Sequence, residues 1–356
     1  INNMENIVTE ANKSNPKLHW KILKQCTKSN NQPEGIPPLK NVSNTTEETF
    51  YFKDEDKCNC LNDYFVSVST IDQTINDKTT LPECTLKTNS TFVNLNITEY
   101  KISDTIGTLD TNKAVGEDKI SHTVLKNTMK SISKPLTLLF NKSLNECNFP
   151  DLWKVATVVP IFKKGDTNLA SNYRPICLLS CVGKLMERVV FKHLYNYLTV
   201  NELIYKLQSG FLTGHSTINQ LIDLYNQICQ GLDGKKHTCM VFCDVSKAFD
   251  RVWIKGLLFK LKLNGINGNL LKWIESYLTN RRQRVAIGSS VSRTKSTNAG
   301  VPQGSVLGPL FFLIYINDIA EQLLSVCRIF ADDTSLSCTS SDILHIESIL
   351  NHDLEV

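Results

Sequence analysis

From about Ile102 onward, apolar residues recur at helical spacing through most of the chain. Ile102, Ile106 and Leu109 begin the pattern, and residues 124–139 and Leu144 continue it. Within residues 182–198, Leu185, Val189, Val190, Leu194 and Leu198 share one face, while Lys184, Glu187, Arg188 and Lys192 lie on the other. That period predicts an amphipathic helix. Further helices are predicted over 217–232, ended near Gly231 and Gly234, and over 252–263 and 269–278. The apolar run 310–316 is too short to span a membrane and reads as a helix buried on most sides. Residues 153–162, 239–243 and 329–331 read as strands, and 284–288 with 295–299 as a hairpin across Ser289-Ser290. Helices beside a small antiparallel sheet predict an α+β class.

The first hundred residues differ. They are rich in Asn, Thr, Ser and Lys, with Pro33, Pro37 and Pro38 marking irregular backbone. Short helices are predicted at 18–25 and 56–68, with linker elsewhere. Three parts follow: a connector over 1–100, a helical part over 101–235, and a sheet-bearing part over 236–356.

At 356 residues the chain has room for two or three domains and a full core. A net charge of +4 is too mild to indicate nucleic acid by itself. Local clusters say more. Lys154, Lys163, Lys164 and Arg174 form one, and Lys247, Arg251, Lys255, Lys260 and Lys262 a second. Arg281, Arg282, Arg284, Arg293 and Lys295 form a third. Such groups suit a phosphate backbone, whose neutralisation gives sequence-independent affinity. The twelve cysteines do not suggest a disulfide framework. Cys239, Cys243, Cys327 and Cys338 fall in apolar strand patterns as small hydrophobes. Cys58-x-Cys60 and Cys177-x₃-Cys181 lack second halves at zinc-finger spacing, so zinc is not expected. The sequons at Asn41, Asn44, Asn89 and Asn96 read as accidental, because no apolar signal segment opens the chain. An intracellular location without a membrane span, in cytoplasm or nucleus, is the expectation.

Two acid-tipped strands carry the candidate chemistry. Met240 to Cys243 run into Asp244, and Val326 to Phe330 lead through Ala331 to Asp332 and Asp333. Taken singly, an Asp-Asp pair can be a solvated turn and Asp244 a helix N-cap. Taken together, carboxylates at the tips of paired strands can hold divalent cations, for which Mg²⁺ prefers oxygen ligands. Two such ions stabilise the attacking and leaving oxygens of a phosphoryl transfer. Between the acids stands Gly300-Val301-Pro302-Gln303-Gly304-Ser305-Val306-Leu307-Gly308-Pro309, a loop where backbone can approach a ligand closely. Upstream, Lys163 and Lys164 with Arg174 place cations where a triphosphate could be clamped. Two adjacent lysines on a strand point opposite ways, so which of them serves is left open.

The ordered set resembles the reverse transcriptase of non-LTR, LINE-type retrotransposons. It comprises the basic hairpin, Gln208-Ser209-Gly210-Phe211, the stretch from Phe242 to Asp250, the loop from Gly300 to Pro309, and Phe330-Ala331-Asp332-Asp333. The resemblance runs from about Lys101 to the C-terminus; more weakly, residues 18–21 and 62–65 resemble the connector of such elements. It implies a right-hand polymerase with helical fingers and a palm bearing a small antiparallel sheet, the thumb missing beyond Val356. It implies Asp244 and Asp332 as shared metal ligands, Asp333 as the adjacent catalytic carboxylate, and the Val245 carbonyl as a further ligand. Two Mg²⁺ ions are implied as cofactors, with Mn²⁺ as the substitute. Phe249 falls at the position that excludes a ribose 2′-hydroxyl, against a simpler role as a core Phe. Gln303 falls where the incoming nucleotide or templating base is contacted. Lys113, Arg281, Arg282 and Arg284 are expected on nucleic acid. The implied partners are an RNA template, a DNA primer and deoxynucleoside triphosphates; oligomeric state is left open.

Two departures bear on local structure. In Lys113-Ala114-Val115-Gly116-Glu117-Asp118-Lys119, Glu117 stands for the proline and Lys119 for the second glycine of the family's Gly-Pro-Asp-Gly fingertip loop. Phe330 replaces a tyrosine common before the Ala-Asp-Asp. The alternatives are a group II intron or retron-type enzyme, and an inactive remnant that only binds nucleic acid.

Overall fold

The computed structural model describes residues 35–41, 49–72 and 85–355. The helix expected at 18–25 lies outside them, as does the sequon at Asn44. The helices are α1 (Asp54–Val68), α2 (Glu99–Gly107), α3 (His122–Asn127), α4 (Met129–Asn145), α5 (Cys181–Val200), α6 (Thr217–Asp233), α7 (Ile254–Leu263), α8 (Gly268–Leu278), α9 (Leu307–Ile316) and α10 (Ile343–Glu355). The strands are β1 (Leu39–Lys40), β2 (Phe50–Tyr51), β3 (Val155–Phe162), β4 (Tyr173–Leu178), β5 (His237–Asp244), β6 (Arg281–Ile287), β7 (Ser290–Val291), β8 (Lys295–Thr297), β9 (Val326–Phe330) and β10 (Asp333–Ser340). The class is α+β, as the patterning predicts. Among the described residues no helix is long and apolar enough to cross a membrane.

The main core gathers the apolar faces of α2, α4, α5, α7 and α8 around α9. Its centre is aromatic. Phe149 meets Trp153, Trp273 and Tyr277 edge-on, with centroids 5.5, 5.5 and 5.0 Å away, the arrangement that aromatic quadrupoles favour. Helix α9 is apolar on nearly every side and almost wholly buried. Its N-terminus is satisfied by Glu187 of α5, whose carboxylate accepts from Val306 N at 2.6 Å and Leu307 N at 3.1 Å. Helical period places Glu187 on the outer face; it is instead 1 % exposed. Burial raises its pKa, opposed by the Arg281 charge and these two N–H donors.

Strand β3 pairs antiparallel with β4 and parallel with β6, and β6 carries β7 and β8 along its other edge. Helix α1 lies against this sheet. Cys58, Leu61 and Phe65 pack with Leu39, Ala156, Val158, Val285 and Ile287. Asn62 Nδ2 donates to Arg293 O at 2.8 Å and Asn59 Oδ1 accepts from Arg293 N at 3.0 Å. The helix expected at 56–68 is therefore built into the body through the β7–β8 connection.

A second sheet, β5-β10-β9, is antiparallel throughout. On one face, Cys327, Ile329, Leu336 and Cys338 pack against Ile346 and Leu350 of α10. The other face carries α6, mounted polar side inward. Gln220 Nε2 donates to Ile329 O at 2.6 Å, Asp223 pairs with Arg328 at 2.6 Å, and Gln227 Oε1 accepts from Ser337 Oγ at 3.0 Å. Ile218, Leu221, Ile222, Tyr225 and Leu232 consequently face outward and are exposed. Among the described residues strand β5 pairs only with β10, and its Cys239 and Phe242 are exposed.

Candidate active site

The two acid-tipped strands end at the same place. In the β5–β10 register Asp333 stands opposite Asp244. In the β9–β10 register Phe330 stands opposite Asp333, leaving Ala331 and Asp332 as a two-residue connection. Ala331 has φ 60°, the left-handed conformation that the first central residue of a type II′ hairpin turn requires and glycine usually supplies. The strain is held from outside. Gln208 Oε1 accepts from Ala331 N at 3.1 Å and from Gly210 N at 2.7 Å. Ser209 N donates to Ile329 O at 3.0 Å, and Ile329 N to Leu207 O at 3.1 Å. A Cβ on Gly210 would lie 2.2 Å from Ala331 N, so only glycine fits this approach. Gln208-Ser209-Gly210-Phe211 is thus the cradle of the acidic turn.

Beyond Asp244 the backbone turns through Lys247 (φ 56°) into a 3-10 turn, Ala248–Arg251, that brings Phe249 and Asp250 back to the acids. The loop carrying Gln303 is fixed at both ends. A Cβ on Gly300 would lie 2.6 Å from Asp250 O, and one on Gly304 2.6 Å from Cys177 O; both glycines have positive φ. Cys177 N donates to Gln303 O at 2.8 Å.

These segments enclose a cavity of about 410 Å³ lined by Lys163, Arg174, Asp244, Val245, Lys247, Phe249, Asp250, Gln303 and Asp332, with Tyr173, Pro175 and Ser246 among its other walls. Cations (Lys163, Arg174, Lys247) and carboxylates (Asp244, Asp250, Asp332) share its lining. The Asp332 pKa is raised, first by burial and then by the negative charges of Asp333 and Asp244, with Arg174 opposing. Asp333 is exposed at the rim and Lys164 is exposed outside the lining. Of the two adjacent lysines, Lys163 is the one on the cavity wall. Phe249 stacks on Phe312 at 4.5 Å and meets Phe211 edge-on at 5.9 Å, so its ring belongs both to the core and to the wall.

Among the described residues no three His, Cys, Asp or Glu side chains stand as a preformed cation cage. The donors at hand are the carboxylates of Asp244, Asp332 and Asp333 and the Val245 carbonyl, all hard oxygens. Burial first, and then the charges of Asp333 and Asp244, disfavour the ionised Asp332, and a divalent cation bound here would offset both. The donor set fits Mg²⁺.

The family profile described as reverse transcriptase (RNA-dependent DNA polymerase) matches residues 161–353, more than half of the chain. This chain belongs to the reverse transcriptase family. Its relatives include the RNA-directed DNA polymerase from mobile element jockey of Drosophila melanogaster, 32 % identical over 73 % of this chain and 29 % of the relative. The probable RNA-directed DNA polymerase from transposon BS of the same fly is 34 % identical over 68 % of the chain and 28 % of that protein. Its counterpart from transposon X-element is 33 % identical over 67 % and 27 %. The non-LTR type read from the motifs agrees with these relatives. The chain spans under a third of their length.

Four residues expected on nucleic acid are not in the lining of the acid-bearing cavity, although Arg281 and Arg282 line an adjoining recess with Pro175, Asp250 and Gln303. Arg281 is buried: Nη1 donates to Tyr277 O at 2.7 Å and the guanidinium lies 4.9 Å from the Tyr277 ring centroid. Its strand position points into the core, and the expectation is corrected accordingly. Arg284 pairs with Glu117 at 2.9 Å, Lys113 with Asp110 at 3.6 Å, and Arg282 is exposed beside a separate cleft. Lys154, also expected on phosphate, is buried and paired with Asp151 at 3.1 Å.

The fingertip-like loop keeps its turn despite its substitutions. Lys119 takes φ 55°, the conformation expected of the glycine it replaces. Gly116 packs on the Leu179-Ser180 backbone, where a Cβ would lie 2.5 Å from Leu179 C, and Ser180 Oγ donates to Asp118 at 2.5 Å. Sequence reasoning missed Asp250, whose carboxylate accepts from Gln303 Nε2 at 2.8 and 2.9 Å. The signal was its place six residues after Asp244 and directly after Phe249. Lys247 was read only as one of a basic cluster, yet it lines the cavity, with Nζ 5.4 Å from the Tyr64 ring centroid.

Proposed function

We propose that this chain is the polymerising centre of an RNA-directed DNA polymerase of a non-LTR retrotransposon. It would extend a DNA primer 3′-hydroxyl on an RNA template with deoxynucleoside triphosphates. The observation that carries this reading is that Asp244, Asp332, Lys163 and Arg174, far apart in the sequence, line one and the same cavity. On this reading the β3–β4–β6 sheet and its helices act as fingers and β5-β10-β9 as palm. Asp244, Asp332, Asp333 and the Val245 carbonyl would hold two divalent cations. Bound there, the cations supply the charge that stabilises attacking and leaving oxygens in an in-line phosphoryl transfer. Lys163 and Arg174 clamp the triphosphate, Lys163 as a point charge and Arg174 as a planar donor fork. They draw negative charge toward the departing pyrophosphate. Phe249 is held against Phe312 where its ring can exclude a 2′-hydroxyl. Base identity is read by pairing with the template.

The test is primer extension on an RNA template by a protein carrying this chain. Asp332→Asn removes an ionised ligand at nearly constant volume. The expected loss is on the order of a hundredfold or more in rate, with template–primer affinity unchanged. An Asp332→Asn protein keeping over about a tenth of the wild-type rate at saturating Mg²⁺ would refute the assignment.

A further inference from the structure

Gln303 reaches the cavity on a loop, and loop side chains need support if they are to hold one orientation. Asp250 supplies that support. It is 9 % exposed, and both its oxygens lie within hydrogen-bond distance of one atom, Gln303 Nε2, at 2.8 and 2.9 Å. Burial raises the Asp250 pKa, opposed by the Gln303 donor and the Lys247 charge; as a carboxylate Asp250 only accepts hydrogen bonds and so meets the nitrogen end of the amide. The nitrogen is turned toward Asp250, and Oε1 is left for another partner. The backbone enforces the pairing, since Gly300 and Asp250 approach too closely for any side chain at position 300. Val301 N donates to Phe249 O and Gly300 N to Val252 O, both at 2.8 Å. The Gln303 loop and the Phe249-Asp250 turn therefore move as one piece.

We infer that Asp250 is a positioning residue for the nucleotide: it touches no substrate but locks the Gln303 amide with its oxygen presented to the incoming nucleoside triphosphate. This rests on the polymerase reading above and adds a specific dependence to it. Removing the carboxylate frees the amide to rotate and to present either end. The cost should appear in nucleotide binding and not in the chemical step. Because Asp250 acts through Gln303, its effect should vanish once Gln303 is gone.

The experiment is a double-mutant cycle in RNA-templated primer extension, with KM for deoxynucleotide and kcat measured separately. Asp250→Ala should raise KM about tenfold and change kcat less than about threefold. Adding Asp250→Ala to Gln303→Ala should move KM less than about twofold beyond Gln303→Ala alone. Asp250→Asn, whose Oδ1 can still accept from Nε2, should keep KM within about threefold of wild type. Should the Ala variant fail to fold, Asp250→Leu, matched in shape, takes its place in the cycle. An unchanged KM in the folded Asp250 variant, or full additivity with Gln303→Ala, overturns the inference. A purely structural role would lower the melting temperature of both backgrounds equally and leave the KM effect additive. A wild-type protein that extends no primer overturns the polymerase reading itself, whereas normal extension with an additive cycle overturns this inference alone.

Discussion

The helical body buries Phe140, Phe149, Trp273, Tyr277 and Phe311 almost completely, and its cohesion comes from apolar area removed from water. The acid-bearing sheet has one small apolar face, under α10. On its other side α6 is joined through Gln220, Asp223 and Gln227. Its functional end is fixed by the Gln208 bridge and the Gly210 approach to Ala331. At that end Asp244 and Asp332 share the cavity lining with Lys163 and Arg174, which come from the β3–β4 hairpin. The contrast separates stability from activity. Mutations in the body should lower the first at little cost to the second per folded molecule, and mutations around the acidic turn should do the reverse.

The largest expected effect lies in the body. Phe140 is fully buried and meets Trp153 edge-on. Phe140→Ala should lower unfolding free energy by about 3–5 kcal/mol. Denaturant melts would measure this, and kcat of the remaining folded enzyme should be near normal. A matching collapse of kcat would erase the distinction. Next comes Gly210→Ala in the cradle. Its methyl must displace Ala331, and a shift near 1 Å at a reacting group costs on the order of a hundredfold in rate. Primer extension together with the melting temperature would show whether rate falls far more than stability does. The smallest effect is at the fingertip-like loop. Lys119→Gly relieves a left-handed non-glycine residue, and a gain of about 0.5–1 kcal/mol is expected with catalysis unchanged. A loss of stability would mean that the Lys119 side chain holds the loop in a way its backbone conformation does not reveal.

Periodicity made the fold legible where a helix buries one face and shows the other. The helices over 182–198, 252–263 and 269–278 stand where their spacing predicts. It misled where polar groups do the packing. Glu187 falls on the outer side of its helix by period, yet is drawn inward by two orphan N–H groups of α9. Helix α6 shows a clean apolar stripe, but sits on the sheet by its polar side. Strand β5 is an apolar run, yet among the described residues it stands at the edge of its sheet and exposes Cys239 and Phe242. At the site, the short acidic motifs were legible as candidate ligands because each strand runs straight into its carboxylate. Arg281 was misread because a basic cluster on a hairpin carries no sign of which members point inward. Asp250 was invisible as a partner of Gln303 because 53 residues separate them and only the folded loops bring them together.

The most direct test asks whether the acids form a cation site. Thermal unfolding of wild type and Asp332→Asn would be followed with and without Mg²⁺. Asp333 and Asp244 both disfavour ionised Asp332, so the metal-free Asp332→Asn protein should be at least as stable as wild type. Mg²⁺ should raise the wild-type melting temperature progressively with the logarithm of its concentration, equivalent to about 2.7 kcal/mol of stability at a hundredfold excess over Kd, and leave Asp332→Asn nearly unmoved. An equal Mg²⁺ response in both proteins, or a metal-free Asp332→Asn protein less stable than wild type, would contradict the assignment of these carboxylates as the cation site.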